Sequence, residues 1–165
     1  MASIEWCLKQ KSGIEIIEPN ENMSNSYLDM AEESIKVIDK MEQSRIWTAT
    51  TAYYTFYYSL YALMLRIGVK CEIHSCSIAF MEKCLNGLYN NQDISMIKKA
   101  FSARIDLQYY ANRPVDEAVI AQIKSYCKVF FLKTKDILIK IKESQISEIR
   151  NSLKREKWKE EQKGC

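Results

Sequence analysis

Residues Ala52 to His74, reading AYYTFYYSLYALMLRIGVKCEIH, constrain this chain more than any other stretch. Six aromatics fall within nine positions, an apolar run ends at Gly68, and the chain's only histidine follows. The spacing is helical: Trp47, Tyr54, Tyr58, Tyr61 and Leu65 make one stripe, and Phe56, Leu60, Leu63 and Ile67 another. A helix apolar nearly all round belongs at the centre of a bundle. Ala49, Thr51, Ala52, Thr55, Ser59 and Ala62 lie between the stripes and let neighbouring helices approach closely. Each buried tyrosine hydroxyl needs a hydrogen-bond partner, so the polar tips must meet water, another polar group or a ligand.

The rest of the chain agrees with a helical reading. Four glycines and two prolines in 165 residues leave few tight turns, which disfavours a many-stranded β fold. A first helix is expected from about Ser24 to Met41, with Leu28, Ala31, Ile35 and Ile38 on one face and Ser26 with Asp29 resembling a capping box. The central helix should span Arg45 to Ile67, capped by Gly68. After a loop over Val69–Ile73, a third helix starts near Ser75 and carries Ile78, Met81 and Leu85. A fourth starts at Asp93 or Ser95 and runs to about Tyr110, and Pro114 opens a fifth. The expected fold is all-α, an antiparallel up-and-down bundle of about five helices over residues 21–142. Residues 1–20 read as an arm anchored by Trp6, with a β-like Ile14–Ile17. Residues 143–165, rich in Glu, Lys and Arg, read as an exposed or frayed helical tail.

A net charge of +3 does not demand nucleic acid as a partner. Glu5, Lys9, Lys11, Glu15 and Glu18 interrupt any apolar leader core, and the central apolar run is broken by polar residues, so no membrane span is expected. The six scattered cysteines are then expected as free thiols in the cytoplasm. Cys71-x2-His74-x-Cys76, with Cys84 beyond, holds zinc-type ligands but not the paired spacing of structural zinc sites. The preferred reading is a histidine at a helix start among buried cysteines, with neither metal nor cofactor. Glycine-rich phosphate loops are absent.

The fourth helix holds the remaining candidates. Arg104 sits at the edge of an apolar face, where a permanently charged guanidinium must be paired or face a cleft. Asp106, Gln108, Tyr109 and Asn112 add polar groups over two turns. Spacing alone leaves a structural Arg–carboxylate contact and a ligand site both open.

The order of these pieces resembles the HEPN family, the higher-eukaryote and prokaryote nucleotide-binding domain, in its small prokaryotic branch. The resemblance rests on YLDMAEES, AYYTFYYSLYALMLRIG, a histidine opening the third helix, and RIDLQYY, and covers about residues 4 to 142. The leader IEWCLKQKSGIEIIEPNENMSNSYLDMAEESIKV resembles that of archaeal members. It implies a symmetric homodimer that binds RNA or a nucleotide at a cleft on the dimer interface. Many members are metal-independent ribonucleases, and many are encoded with a minimal nucleotidyltransferase as a toxin–antitoxin pair. Active members carry an arginine and, four to six residues later, a histidine. Arg104 matches the arginine, while Tyr109, Tyr110 and Ala111 include the positions that should hold histidine. A tyrosine with its ordinary pKa near 10 is a poor general base at neutral pH. The reading is therefore a non-catalytic module that uses Arg104, Asp106, Gln108, Tyr109 and Tyr110, with His74, Tyr54 and Tyr58 as secondary candidates. Its alternative is a ribonuclease toxin using Arg104 with Tyr109, Tyr110 or a spatially close His74.

Overall fold

The aromatic helix predicted from the sequence organises the molecule. In a computed structural model describing residues 2–162 it is α3, Arg45–Ile67, with sixteen of its 23 residues buried. Ser44 caps its start by accepting a hydrogen bond from the Trp47 amide, and Gly68 ends it in the left-handed conformation. Before it come α1 (Ile4–Lys9), β1 (Ile14–Ile16) and α2 (Glu21–Ile38), with a 3-10 turn over Asp39–Met41. After it come β2 (Val69–Cys71), α4 (His74–Cys84), α5 (Asn91–Tyr109), α6 (Glu117–Lys140) and α7 (Glu143–Gln162).

The fold is an all-α bundle. Helix α3 packs against α2, α5 and α6, and the pairings give the directions. Ser24 Oγ donates to the Ala62 carbonyl and the Asn20 amide to Leu65, so α2 and α3 are antiparallel. Gln108 meets Thr50 and Arg104 meets Tyr54, so α3 and α5 are antiparallel too. Lys99 reaches Gln122 and Tyr126 reaches Asp93, which sets α5 and α6 antiparallel. Phe56, Leu60, Leu63 and Ile67 are fully buried, as their stripe predicted. Trp47, assigned to the other stripe, is 57% exposed because it lies in the first turn, beyond the packed part of that stripe.

Several local expectations are corrected. The cap of α2 is Asn20, whose Oδ1 accepts from the Met23 amide; Ser26 instead donates to the Asn22 carbonyl one turn back. A reciprocal capping box does occur, on α5, between Asn90 and Asp93. Val69–Cys71 is not a loop but a strand, paired antiparallel to Ile14–Ile16 with Ile14 opposite Cys71. Trp6 is 47% exposed, and it is Ile4 and Cys7 of α1 that fill the core. The charged tail is helix α7, seated on the bundle through buried Ile146 and Leu153. Cys7 and Cys76 are not free thiols but form a disulfide between α1 and α4. Cys71, Cys84 and Cys127 are free, and Cys165 lies outside the described residues. Among the described residues no helix is long and apolar enough to cross a membrane.

Candidate anion and ring site

The predicted site residues divide into two groups. Two residues on a helix separated by one other point roughly 200° apart, so Arg104 and Asp106 cannot face one cleft from the same turn. Asp106 Oδ1 accepts from Arg113 Nη1 at 3.2 Å, and the Arg113 guanidinium lies 3.6 Å from the centre of the Tyr110 ring. That Asp106–Arg113–Tyr110 group is self-contained. Arg104 with Gln108 and Tyr109 forms the other group, against α3.

Around Arg104 the surroundings are aromatic and neutral. Its Nη2 donates weakly to Tyr54 Oη at 3.4 Å and to Tyr109 Oη at 3.5 Å. The guanidinium carbon lies 5.3 Å from the ring centres of both Tyr53 and Tyr54, within range of a cation–π attraction. Its Nε is buried without a hydrogen-bond partner among the described residues. No ion pair to a carboxylate is formed by Arg104 among the described residues. Of the structural Arg–carboxylate contacts open to Arg104, a pair with Asp106 is not formed: Asp106 points away and pairs with Arg113. Gln108 Nε2 donates to Thr50 Oγ1 at 2.9 Å, which ties α5 to α3 one turn beyond.

His74, on a different segment, arrives at the same place. As the first residue of α4 it stacks on Tyr57 with ring centres 4.1 Å apart, and its Nδ1 is 2.5 Å from Tyr53 Oη. It also meets Tyr54 edge-on, so His74 and Arg104 share both Tyr53 and Tyr54. Burial of the Tyr53 ring raises its pKa above the ordinary phenol value, so the hydroxyl keeps its proton. Tyr53 Oη and His74 Nδ1 share one hydrogen bond, and when the phenol donates to Nδ1 the imidazole proton lies on Nε2. Tyr53 and Tyr57 are site residues that the stripe analysis passed over; the signal was their i, i+4 spacing inside the same aromatic run.

His74 is held neutral, first by burial and then by the nearby Arg104 charge, both of which lower its pKa from 6.5. The unfolded chain therefore takes up this proton first as pH falls. The stability that neutral His74 confers is full above pH 6.5 and is lost below it. The imidazole NMR titration should show a midpoint below 6.5, moved upward by Arg104→Ala because one of its two causes is gone. A midpoint at or above 6.5 in the wild type would contradict this environment.

This arrangement suits an anion better than a metal or a base. Cys76 is taken by the disulfide, so the Cys71–His74–Cys76 set cannot chelate in this form. No group of three His, Cys, Asp or Glu side chains placed to hold a metal occurs among the described residues. A cleft of about 850 Å³ lies between the end of α4, α5 and the start of α6, and includes Asp106 but not Arg104. Its lysines Lys98 and Lys99 are outnumbered by Glu82, Asp106 and Asp116, with Glu82 2.7 Å from Lys98, which leaves it less suited to an anion than the Arg104 group. No protein-family model matches the chain, and no match to a curated protein is found.

Proposed function

We propose that the chain is a dimeric, HEPN-like module that binds RNA or a nucleotide through the phosphate-accepting side of Arg104, without cleaving it. One observation carries this: a guanidinium that, among the described residues, has no carboxylate partner, only long hydrogen bonds to two phenol oxygens and contacts to tyrosine rings, with its Nε unpartnered. A phosphate oxygen would supply the charge-assisted, bidentate contact that the guanidinium lacks. Tyr109, 65% exposed beside Arg104, supplies a hydroxyl or a stacking face. The resemblance supports a homodimer with α5 and the start of α6 at its interface, and a minimal nucleotidyltransferase as partner in a toxin–antitoxin pair.

The non-cleaving part follows from His74. With Nδ1 engaged by Tyr53 and its pKa lowered by burial and by Arg104, the imidazole is a weak base for taking a proton from a ribose hydroxyl. Its convergence on Arg104 nevertheless favours one second reading, a ribonuclease in which His74 and Arg104 together face the reacting phosphate.

Titrations of short RNA and ATP at two salt concentrations test both. Arg104→Ala should weaken binding roughly tenfold or more, the loss of one charged hydrogen-bonding group, and lower the salt slope by about one. The RNA should remain intact on a gel. Unchanged affinity in the variant sinks the site. Cleavage that disappears in both Arg104→Ala and His74→Ala installs the second reading.

A further inference from the structure

His74 and Arg104 come from different helices yet sit against the same two rings. The guanidinium carbon lies 5.3 Å from the ring centres of both Tyr53 and Tyr54, and the imidazole centre lies 5.7 Å and 6.3 Å from them. Both basic groups are half-buried. The rings they share are phenols, which bring no counter-charge, and burial raises the pKa of Tyr53 and of Tyr57 further above neutrality. The other charges brought to α4 are paired with one another. Lys70 of β2 holds Glu72, and Glu15 of β1 is its cross-strand neighbour. Lys9 of α1 pairs with Glu160 of α7, Glu156 of α7 with Lys159, and Lys98 of α5 with Glu82 of α4 itself. Glu5 of α1 interacts with Glu160 and Lys83. The Cys71 thiol donates to the Ile73 carbonyl, and Cys76 is held in the disulfide. Arg104 is the charge that bears on the imidazole.

We propose that an anion seated on Arg104 is bound together with a proton on His74, so that the site holds a phosphate or sulfate group more tightly in mild acid than at neutral pH. The proposal rests on the Arg104 reading and adds its regulation. A cation beside an imidazole disfavours its protonation, and a divalent anion more than cancels that one positive charge. Coupling is reciprocal: the factor by which the anion strengthens proton binding is the factor by which the proton strengthens anion binding. Affinity should be flat where free and bound protein both hold neutral His74. It should rise as pH falls through the midpoint of the bound form, and level off below the midpoint of the free form. The contact with Tyr53 need not break, since a phenol hydroxyl donates to Nδ1 or accepts from it. Groups packed on shared rings leave little room for salt between them, so screening of the coupling is weak.

His74 is the chain's only histidine, so its ring proton gives a single NMR titration free of overlap with other imidazoles. The titration is recorded on the full chain over about pH 5 to 8, in sodium chloride and in sodium sulfate of equal ionic strength. Sulfate is the probe because, unlike phosphate, it keeps its double charge across this range. Arg104→Ala and Arg104→Gln are measured alongside, with circular dichroism melts to check that each folds. In the wild type sulfate should raise the His74 midpoint by about one unit, a tenfold coupling. Sulfate affinity, read from the amide signals of α5 around Arg104, should be about tenfold higher at the acid end than at the alkaline end. In both variants the midpoint should start higher than in the wild type and should be the same in the two salts. Sulfate that moves the α5 signals but not the midpoint overturns the coupling and leaves the anion site standing. Sulfate that moves neither overturns both. A midpoint raised equally in wild type and variants places the anion elsewhere and overturns the route through Arg104.

Discussion

Gly68→Ala should lower stability by about 4 kcal/mol, combining a left-handed backbone with the loss of charged hydrogen bonds. Gly68 has φ 83°, and its amide reaches back to the Leu65 and Met64 carbonyls to close α3. A β-carbon there would lie 1.9 Å from Arg150 Nη1 and 2.6 Å from the Ile17 carbonyl oxygen. Arg150 Nη1 is the plug of this corner: it donates to Ile17 at 2.7 Å and to Ile67 and Gly68 at 3.0 Å. These carbonyls belong to the end of α3 and the chain beyond β1, and the arginine comes from α7. One methyl group would therefore strain the cap and displace the side chain that ties three segments together. The thermal midpoint should fall by roughly 10 °C for a chain of this size. Gly87→Ala, where a β-carbon meets nothing within 4 Å, is the control and should stay within about 0.5 kcal/mol of wild type. Equal melts for the two variants would show that the corner does not carry this stability.

That corner also shows why parts of the fold could not be read from residue order. The bounds of α3 were legible because one dense apolar pattern, a serine cap and a terminal glycine agree with each other. Helix α7 was legible as a helix from Glu143, but not its seating on the bundle, because its core contacts are sparse among charges and its anchor Arg150 looks in sequence like any surface cation. A strand of three residues such as Val69–Cys71 is too short to show a period, and only its partner reveals it. At the site, Arg104 with Tyr54 was partly legible from helical faces. The separation of Arg104 from Asp106 was also legible in principle, since residues two apart on a helix do not face each other. His74 was different: α4 brings it to Arg104 through tertiary packing, and no spacing encodes that approach.

Reduction of the Cys7–Cys76 disulfide should cost about 4 kcal/mol, the loop-entropy value for a separation of 69 residues. The expectation is large because little else holds α1. It has six residues, too few to be stable alone, and its polar tether is the Lys9–Glu160 ion pair, whose lysine is largely exposed. Only Ile4 and Cys7 of α1 are buried. Thermal melts with and without dithiothreitol should differ by roughly 10 °C, and a thiol count in denaturant should rise by two on reduction. Coincident melts, or a count that reduction does not change, would remove the bond from the stability argument. Kinetics carry a further distinction. Both sulfurs are fully buried, so a reductant must wait for α1 to lift from α4 before a thiolate can attack either one. Reduction should therefore saturate with dithiol concentration at the opening rate of α1. Cys76 lies in the first turn of α4, two residues after His74. His74 itself is held by Tyr53 and Tyr57 on α3, not by α1, so its NMR signal should survive reduction while the amides of α1 lose protection. A His74 resonance that broadened together with α1 would mean that the disulfide, and not the ring stack, fixes the imidazole beside Arg104.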